Sequence, residues 1–473
     1  MNNTATLCAD KGSFRDRNNA VYHIDNRILR GISEEALDNW RCLADKRFFS
    51  SYCESGHLVQ THLLTVEEQR ELNSLQDTTW AAYLEHQRIP FINYAYEWCF
   101  DMLKDAALLH LDLLDAALRE GMIIKDSSHF NVQFVGTNPV FIDIPSFEAY
   151  QAGTPWIGFR QFCQHFLYPL MLQAYKRVPF RSWLRGNTEG ISPEECNRLL
   201  SFRDMLRPGV FSLVYLQSKL VASMGDVKHS MVNEARESAF GKEIIVANIK
   251  KLRRTLCRLD WEAPRSEWSE YKDEHSYDTE SFAKKSAFVD RIVQGTPRNL
   301  AWDIGCNTGH FSKILARNTD WVIAMDRDDL SIQRLYSELK TQANNNILPL
   351  VLDIANPSPP LGWRCAERRS LAERTSPDLI LCLALVHHLV ITNNIPLQHI
   401  LEWLASFNCD VVMEMIDKTD GMVQKLLLNK TDQYNEFTIA GFESIADQNF
   451  VIREKSEVVP SRRFLYHLVP KRG

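Results

Sequence analysis

The chain has 473 residues, 45% of them hydrophobic, which is enough for two or three domains with cores of their own. Its 60 acidic residues exceed its 54 lysines and arginines, and the formal net charge of -6 disfavours a nucleic-acid acceptor because no basic field would capture one. The eleven cysteines form no C-x-x-C pair, no apolar run approaches the ~18 residues of a membrane helix, and no secretory signal opens the chain, so we expect a cytoplasmic protein without a membrane span or metal site.

The N-terminal part mixes strand and helix periodicity. Residues 21–24 and 27–32 are predicted to be short strands, and residues 56–63 have a strand-like pattern. From about 100 to 120, leucines recur at helical spacing and predict a long amphipathic helix. These elements indicate a small α+β domain.

The stretch after this helix carries an acid in a loop, an amide five positions on, a short hairpin, and an acid that closes the hairpin. These residues are Asp126, Asn131 and Asp143. The layout resembles the catalytic loop of protein and aminoglycoside kinases. That resemblance implies that Asp126 is the base, that Asn131 and Asp143 hold magnesium, and that ATP is a possible cofactor of this domain.

The kinase resemblance is incomplete. No glycine-rich phosphate loop or matching lysine precedes it, and Lys46, Arg27 and Arg30 do not fit the lysine's pattern. Ile124 stands where kinases have histidine, and Ile144 follows Asp143 instead of phenylalanine. An active small-molecule kinase, a degenerate kinase-like domain that binds a ligand or partner, and a coincidental hairpin all remain open. We favour the degenerate domain.

The chain is expected to divide into three parts. We predict a kinase-like α+β domain over residues 1–179, a helical connector over 180–258, and an α/β domain over 259–473. The last boundary falls in a polar, proline-containing run from 260 to 271.

The C-terminal part alternates buried strands with helices, and polar residues follow the strands. A strand from about 300 leads through a glycine turn into a helix, and three later strands end at Asp326, at Asp353 and just before a pair of histidines. The turn lacks the G-x-G-x-x-G pattern of dinucleotide folds. The residues of interest are Asp303, Gly305, Cys306, Asn307, Gly309, Asp326, Asp353, His387, His388 and, on a fifth strand, Glu414.

These ordered motifs resemble the class I S-adenosylmethionine-dependent methyltransferases. The resemblance implies a Rossmann-like, mostly parallel seven-stranded sheet that binds S-adenosyl-L-methionine. By motif position, the glycine turn from Asp303 to Gly309, with Cys306 and Asn307, holds the methionine moiety. Asp326 takes the ribose hydroxyls and Asp353 the adenine amino group.

Candidate catalytic residues follow the fourth and fifth strands. Because imidazole titrates near neutral pH, His387 or His388 is a candidate base, although paired histidines here can also be structural. Glu414 is the candidate carboxylate that orients or deprotonates the acceptor. Three aromatic residues before the first strand are either a lid over the methyl donor or part of a linker: Trp268, Tyr271 and Tyr277.

The two halves together resemble host-specific nodulation methyltransferases of the NoeA type. That resemblance implies a small-molecule or glycan acceptor, such as a lipo-oligosaccharide signal, which we expect to be methylated at oxygen. Two alternatives stay open: a bifunctional kinase and methyltransferase, and a noncatalytic binding scaffold. Binding of the methyl donor, and magnesium-dependent ATP turnover, would separate the three. The oligomeric state is not indicated.

Overall fold

A computed structural model describes residues 7–75, 78–224, 241–262, 279–342, 346–428 and 430–471. The chain forms two compact units: unit 1 is Met1–Ala263 with Leu361–Arg368, and unit 2 is Pro264–Pro360 with Arg369–Gly473. The described residues of the predicted helical connector, 180–258, therefore belong to unit 1. The lid candidates lie outside the described residues: Trp268, Tyr271 and Tyr277.

Unit 1 contains a five-stranded antiparallel sheet in the order β1-β2-β3-β5-β4, and two antiparallel pairs, β6 with β9 and β7 with β8. The strands are β1 (Cys8–Ala9), β2 (Asn19–Ile24), β3 (Arg27–Ile32), β4 (Thr61–Leu63), β5 (Ala82–His86), β6 (Met122–Ile124), β7 (Val132–Val135), β8 (Asn138–Phe141) and β9 (Phe147–Ala149). The predicted strands 21–24 and 27–32 lie within β2 and β3. The strand predicted over 56–63 is wrong over most of its length, because Gly56 turns with φ +74° and only Leu58 forms a bridge before β4 begins.

The helices of unit 1 are α1 (Glu34–Ala44), α2 (Arg47–Glu54), α3 (Val66–Ser74), α4 (Phe100–Arg119), α5 (Phe159–Phe162), α6 (Tyr168–Lys176), α7 (Arg181–Gly186), α8 (Pro193–Leu199), α9 (Leu216–Met224) and α10 (Lys242–Arg258). The longest helix of unit 1 is α4, whose buried face is leucine-rich and against which α2, α6 and α10 pack. Leu103, Leu111 and Leu114 of α4 are fully buried, and the helix stops before Gly121, which has φ +80°. The helix predicted over 100–120 is confirmed.

Unit 2 is an α/β unit built on one sheet. Its strands are β10 (Arg298–Ile304), β11 (Thr319–Asp326), β12 (Ile347–Val351), β13 (Leu379–Cys382), β14 (Asp410–Ile416), β15 (Phe450–Val459) and β16 (Arg463–Pro470). Its helices are α11 (Thr279–Gln294), α12 (His310–Leu315), α13 (Asp329–Thr341), α14 (Leu371–Arg374), α15 (Leu397–Ala405), α16 (Gly421–Leu427) and α17 (Ile439–Asn449). No helix within the described ranges is long and apolar enough to cross a membrane.

The sheet of unit 2 has the order β12-β11-β10-β13-β14-β16-β15. Neighbours are parallel from β12 to β14, and β16 runs antiparallel to both of its neighbours. This agrees with the mostly parallel seven-stranded sheet predicted from the sequence. The chain builds outward from β10 in one direction and then from β13 in the other, so the adjacent ends of β10 and β13 form a topological switch point.

A short stretch between β12 and β13, Leu361–Arg368, is part of unit 1 and is called the inserted segment below. Arg15 donates from Nε and Nη2 to the two carboxylate oxygens of Glu367 at 3.0 and 2.7 Å. The guanidinium of Arg368 stacks on the Phe130 ring, 3.8 Å from its centroid. The inserted segment thus contacts both the loop before β2 and the loop that carries Asp126 and Asn131.

Candidate functional site

A cavity of about 650 Å³ lies in unit 2 at the carboxyl ends of β10 to β13. Open parallel sheets bind ligands at this edge, next to the switch point. The structure brings seven of the predicted site residues to its wall: Asp303, Gly305, Cys306, Asn307, Asp326, Asp353 and His388. Gly309, His387 and Glu414 do not line it.

The glycine turn after β10 has a backbone that most side chains would oppose. Gly305 has φ +79°, Asn307 +49° and Gly309 +78°. The amides of Gly305 and Cys306 donate to the carbonyl of Met325 at 2.8 and 3.0 Å, which ties the turn to β11. The backbone can therefore approach a ligand closely in a fixed geometry.

Asp303 is the penultimate residue of β10 and is buried. Its Oδ2 accepts a hydrogen bond from Ser312 Oγ at 2.6 Å, and its side chain is only 2% exposed. Burial raises the pKa of Asp303 to about 6, and the negative charge of Asp326 adds to the rise. At neutral pH the carboxylate is ionised, although its burial makes the charged form less favourable. A cationic group of a ligand would stabilise that charge.

Asp326 is the last residue of β11, Asp353 follows β12, and both line the same cavity. Asp326 accepts hydrogen bonds from the amides of Asn307 at 2.8 Å and Asp328 at 2.9 Å, while burial raises its pKa. Asp353 accepts one from the Ala355 amide at 2.9 Å. Both carboxylates are held by backbone amides at the cavity wall, where they can accept hydrogen bonds from hydroxyl or amino groups.

The two histidines after β13 differ in position. His388 lines the cavity, whereas His387 is buried behind it, with ring centroids 4.2 Å apart. Burial lowers the pKa of both, that of His388 to about 4 with Arg327 nearby. Nδ1 of His387 has no hydrogen-bond partner among the described residues. At neutral pH His388 is therefore an unprotonated imidazole facing the cavity.

Glu414 is held by a lysine that the sequence analysis did not single out. Lys285 Nζ donates to Glu414 Oε2 at 2.6 Å, and both side chains are buried. Lys285, on α11, lines the cavity, whereas Glu414 does not. A signal was available, because Lys285 falls within the buried stripe of α11 between Ser281 and Phe288. The catalytic role of Glu414 stays a prediction.

In unit 1 the three residues that were predicted to form a kinase-like loop lie close together. Asn131 Nδ2 donates to the backbone carbonyl of Asp126 at 3.3 Å, and burial, with the charge of Asp143, raises the pKa of Asp126. Arg30 Nη1 donates to Asp143 Oδ1 at 3.0 Å, and Ser146 Oγ donates to the other oxygen. Arg30, which the sequence pattern did not favour, thus neutralises Asp143. No cluster of three or more metal-ligating side chains occurs in the ranges the structure describes.

No protein-family profile matches the chain. Among curated proteins, the nodulation protein NoeA of Rhizobium meliloti (strain 1021) is 32% identical over 458 residues, which cover 96% of this chain and 94% of NoeA. The chain belongs to the NoeA family. The alignment spans nearly the whole NoeA-family chain, so the likeness extends over both units.

Solved structures align with a smaller part of the NoeA-family chain. The N-methyltransferase NodS from Bradyrhizobium japonicum WM9 is 13% identical, with 41% of this chain and 99% of NodS covered and a TM-score of 0.30. Magnesium protoporphyrin IX methyltransferase (ChlM) from Synechocystis PCC 6803 with bound SAH is 16% identical, with 43% and 93% covered and a TM-score of 0.31. Family membership rests on the alignment with NoeA alone.

Proposed function

We propose that this NoeA-family chain is an S-adenosylmethionine-dependent methyltransferase whose donor site is the cavity of unit 2. One observation carries the proposal: the glycine turn and three carboxylates, from the ends of three neighbouring strands, converge on a single cavity at the switch point of the sheet. Its volume of about 650 Å³ falls within the range of small-molecule sites.

The residues present fit such a methyl donor. Asp326 would accept hydrogen bonds from the ribose hydroxyls, Asp353 one from the adenine amino group, and the turn from Asp303 to Gly309 would hold the methionine moiety. Bound S-adenosylmethionine supplies a methyl group on a sulfonium, which an aligned acceptor displaces in line. The role of the protein is chiefly to position the two reactants and to exclude water.

His388 is the base in this proposal. Its neutral imidazole faces the cavity, so it can take the proton of an acceptor hydroxyl as the methyl group arrives. His387 lies behind it and supports its ring. We propose oxygen as the methylated atom, because a hydroxyl is the kind of acceptor that needs such a base.

The acceptor we propose is a small molecule or glycan, such as a lipo-oligosaccharide connected with nodulation, because the relative NoeA is a nodulation protein. Unit 1 would recognise it as a degenerate kinase-like domain. The ion pair between Arg30 and Asp143 supports this view, since an arginine on that carboxylate competes with a magnesium ion. The free state of the cysteines fits a cytoplasmic enzyme.

A bifunctional kinase and methyltransferase is the second candidate, because Asp126 and Asn131 lie together beside Asp143. Magnesium-dependent hydrolysis of ATP by the wild type, lost in Asp126→Ala, would support it. Absence of hydrolysis in the wild type would leave the degenerate domain.

The deciding experiment is calorimetric binding of S-adenosylmethionine to the wild type and to Asp326→Ala. We expect binding to the wild type and roughly 10- to 100-fold weaker binding to the variant, the usual effect of losing a charge-assisted hydrogen bond. Asp320→Ala, an exposed position on the same strand, is the matched control and should bind as the wild type does. A folded wild type that binds no methyl donor would favour the noncatalytic scaffold.

Transfer itself can be followed with a tritiated methyl donor and a bacterial glycolipid extract. Label in a lipo-oligosaccharide, in a base-stable ether linkage, is the expected result. Label only in protein or nucleic acid would contradict the proposed acceptor class.

A further inference from the structure

A buried lysine side chain forms part of the cavity wall. The Lys285 side chain is only 4% exposed, yet it lines the cavity, and Glu414 is 0% exposed. Removing two charges from water is costly, and replacing a buried pair with apolar residues is often neutral or stabilising. A buried pair at a cavity wall therefore suggests a role beyond holding α11 to β14.

The ammonium group of Lys285 lies next to the glycine turn. It is 5.0 Å from the centroid of the Phe311 ring, two residues after Gly309, and its charge favours the ionised form of Asp303. The methyl donor's amino-acid end is assigned to this turn, whereas its nucleoside end is assigned to Asp326 and Asp353. An anion bound by Lys285 would therefore belong to the amino-acid end.

We infer that Lys285 forms the subsite for the α-carboxylate of the methyl donor and that Glu414 is a positioning residue that holds Lys285 in place. The inference rests on the proposed function. An ammonium group has three N–H donors and can hold Glu414 and a ligand carboxylate together. Glu414 is thus assigned to the amino-acid end of the methyl donor and not to the acceptor.

The surrounding charges favour a carboxylate over a more highly charged anion. Asp303 and Asp326 line the same cavity, and Glu414 already balances Lys285, so a phosphate would meet repulsion on several sides. A single carboxylate whose neighbouring α-ammonium faces the acids meets far less repulsion. The subsite therefore fits a zwitterionic amino-acid group.

The test compares two ligands that differ only at this group, S-adenosylhomocysteine and its carboxyl methyl ester. The wild type should bind the ester roughly 10- to 100-fold more weakly. In Lys285→Met the affinity for S-adenosylhomocysteine should fall by a similar factor and the affinity for the ester should hardly change, so the ratio of the two approaches one. Lys284→Met, an exposed neighbour paired with Glu280, should keep the wild-type ratio.

The role of Glu414 is tested by the same ratio. Glu414→Ala should reduce it because Lys285 loses its partner, and Glu414→Gln should restore most of it because the amide oxygen can still accept the hydrogen bond. A purely structural role would weaken both ligands equally in every variant and leave the ratio unchanged.

Several results would overturn the inference. Equal binding of the two ligands by the wild type would do so even if the variants fail to fold. An unchanged ratio in folded Lys285→Met would do so as well, and would point to an acceptor anion instead. A folded wild type that binds neither ligand would refute the proposed function itself, which is a different outcome.

Discussion

Single residues of the cavity combine burial with charge, and this combination controls both stability and binding. Asp303 was predictable from the sequence because an acid closes an apolar strand just before a glycine turn. Its environment was not predictable, since Ser312 and the charge of Asp326 reach it only through the fold. The position of Lys285 in the buried stripe of α11 could have been noticed, but its pairing with Glu414 could not, because the two residues are distant in the sequence.

Replacing Asp303 with asparagine should stabilise unit 2 at neutral pH while weakening binding of the methyl donor. In the folded state the pKa of Asp303 is about 6, above the ordinary value of 3.8. The buried negative charge therefore destabilises the folded state fully above about pH 6 and not at all below the pKa of the unfolded state. We expect Asp303→Asn to raise the free energy of unfolding by about 1–3 kcal/mol at pH 7.

Urea unfolding at neutral pH and near pH 4, with hydrogen exchange to assign the transition of unit 2, measures this effect. The gain should shrink toward pH 4, where the wild-type carboxyl is protonated. A variant less stable than the wild type at pH 7 would contradict the prediction.

His388 should matter for transfer and hardly for binding of the methyl donor. Its pKa of about 4 means that the imidazole stays unprotonated from neutral pH down to about pH 5, and protonation removes the base only below that. In the tritium assay we expect His388→Ala to lower the rate by about 10²- to 10⁴-fold with little change in affinity for S-adenosylhomocysteine. An unaffected rate would assign the base elsewhere. His387→Ala should mainly lower stability, because that ring is buried.

Among elements, the glycine turn and the strands that flank it set the geometry of the site. The strands were predictable because each is an apolar run with a polar residue at its end, as in β11, which ends at Asp326. The π-helical turns were not predictable because their hydrogen bonding depends on packing: Cys163–Leu167, Phe211–Tyr215 and His388–Thr392. The last of these turns places His388 at the cavity and His387 behind it.

The turn should not tolerate a side chain at Gly309. A Cβ there would lie 2.5 Å from Leu335 Cδ1, and φ is +78°, so Gly309→Ala combines a clash with backbone strain. We expect a loss of about 1–3 kcal/mol in unfolding free energy and weaker binding of the methyl donor. Chemical denaturation and calorimetry measure the two effects.

Two further variants test the cause. Gly421→Ala, where no atom lies within 4 Å of the added Cβ, should be nearly neutral. Gly309→Ala combined with Leu335→Ala should recover the part of the binding loss that comes from the clash. If binding is not recovered, the backbone strain at φ +78° causes more of the loss than the clash does.

For the whole molecule, the main finding is two units, each of which is made of two separate stretches of the sequence. The predicted start of the last domain at 259 immediately precedes the polar run from 260 to 271, and unit 2 starts at Pro264 within that run. The inserted segment could not be predicted, because nothing in its composition connects it with Arg15 or Phe130. The kinase-like character of unit 1 stays a prediction. The ion pair between Arg30 and Asp143 could not be found from the sequence pattern.

Removing Arg368 should loosen the loop of unit 1 that carries Asp126. The guanidinium stacks on Phe130, and such contacts are worth about 0.5–2 kcal/mol. We expect Arg368→Ala to speed hydrogen exchange of the amides from 126 to 131. Arg364→Ala, an exposed position of the inserted segment, is the control and should leave these amides unchanged. Equal exchange in both variants would show that the stacking contributes nothing measurable.

The discontinuity of unit 1 also bears on synthesis. A ribosome must add the roughly 100 residues from 264 to 360 before it makes Leu361–Arg368, which at about 5–20 residues per second takes about 5–20 s. During that time Phe130 and Arg15 lack their partners in the nascent chain, while β10, β11 and β12 have already been made. The N-terminal unit therefore cannot complete its contacts before residues 264–360 of the C-terminal unit have been synthesised, although most of it is translated first.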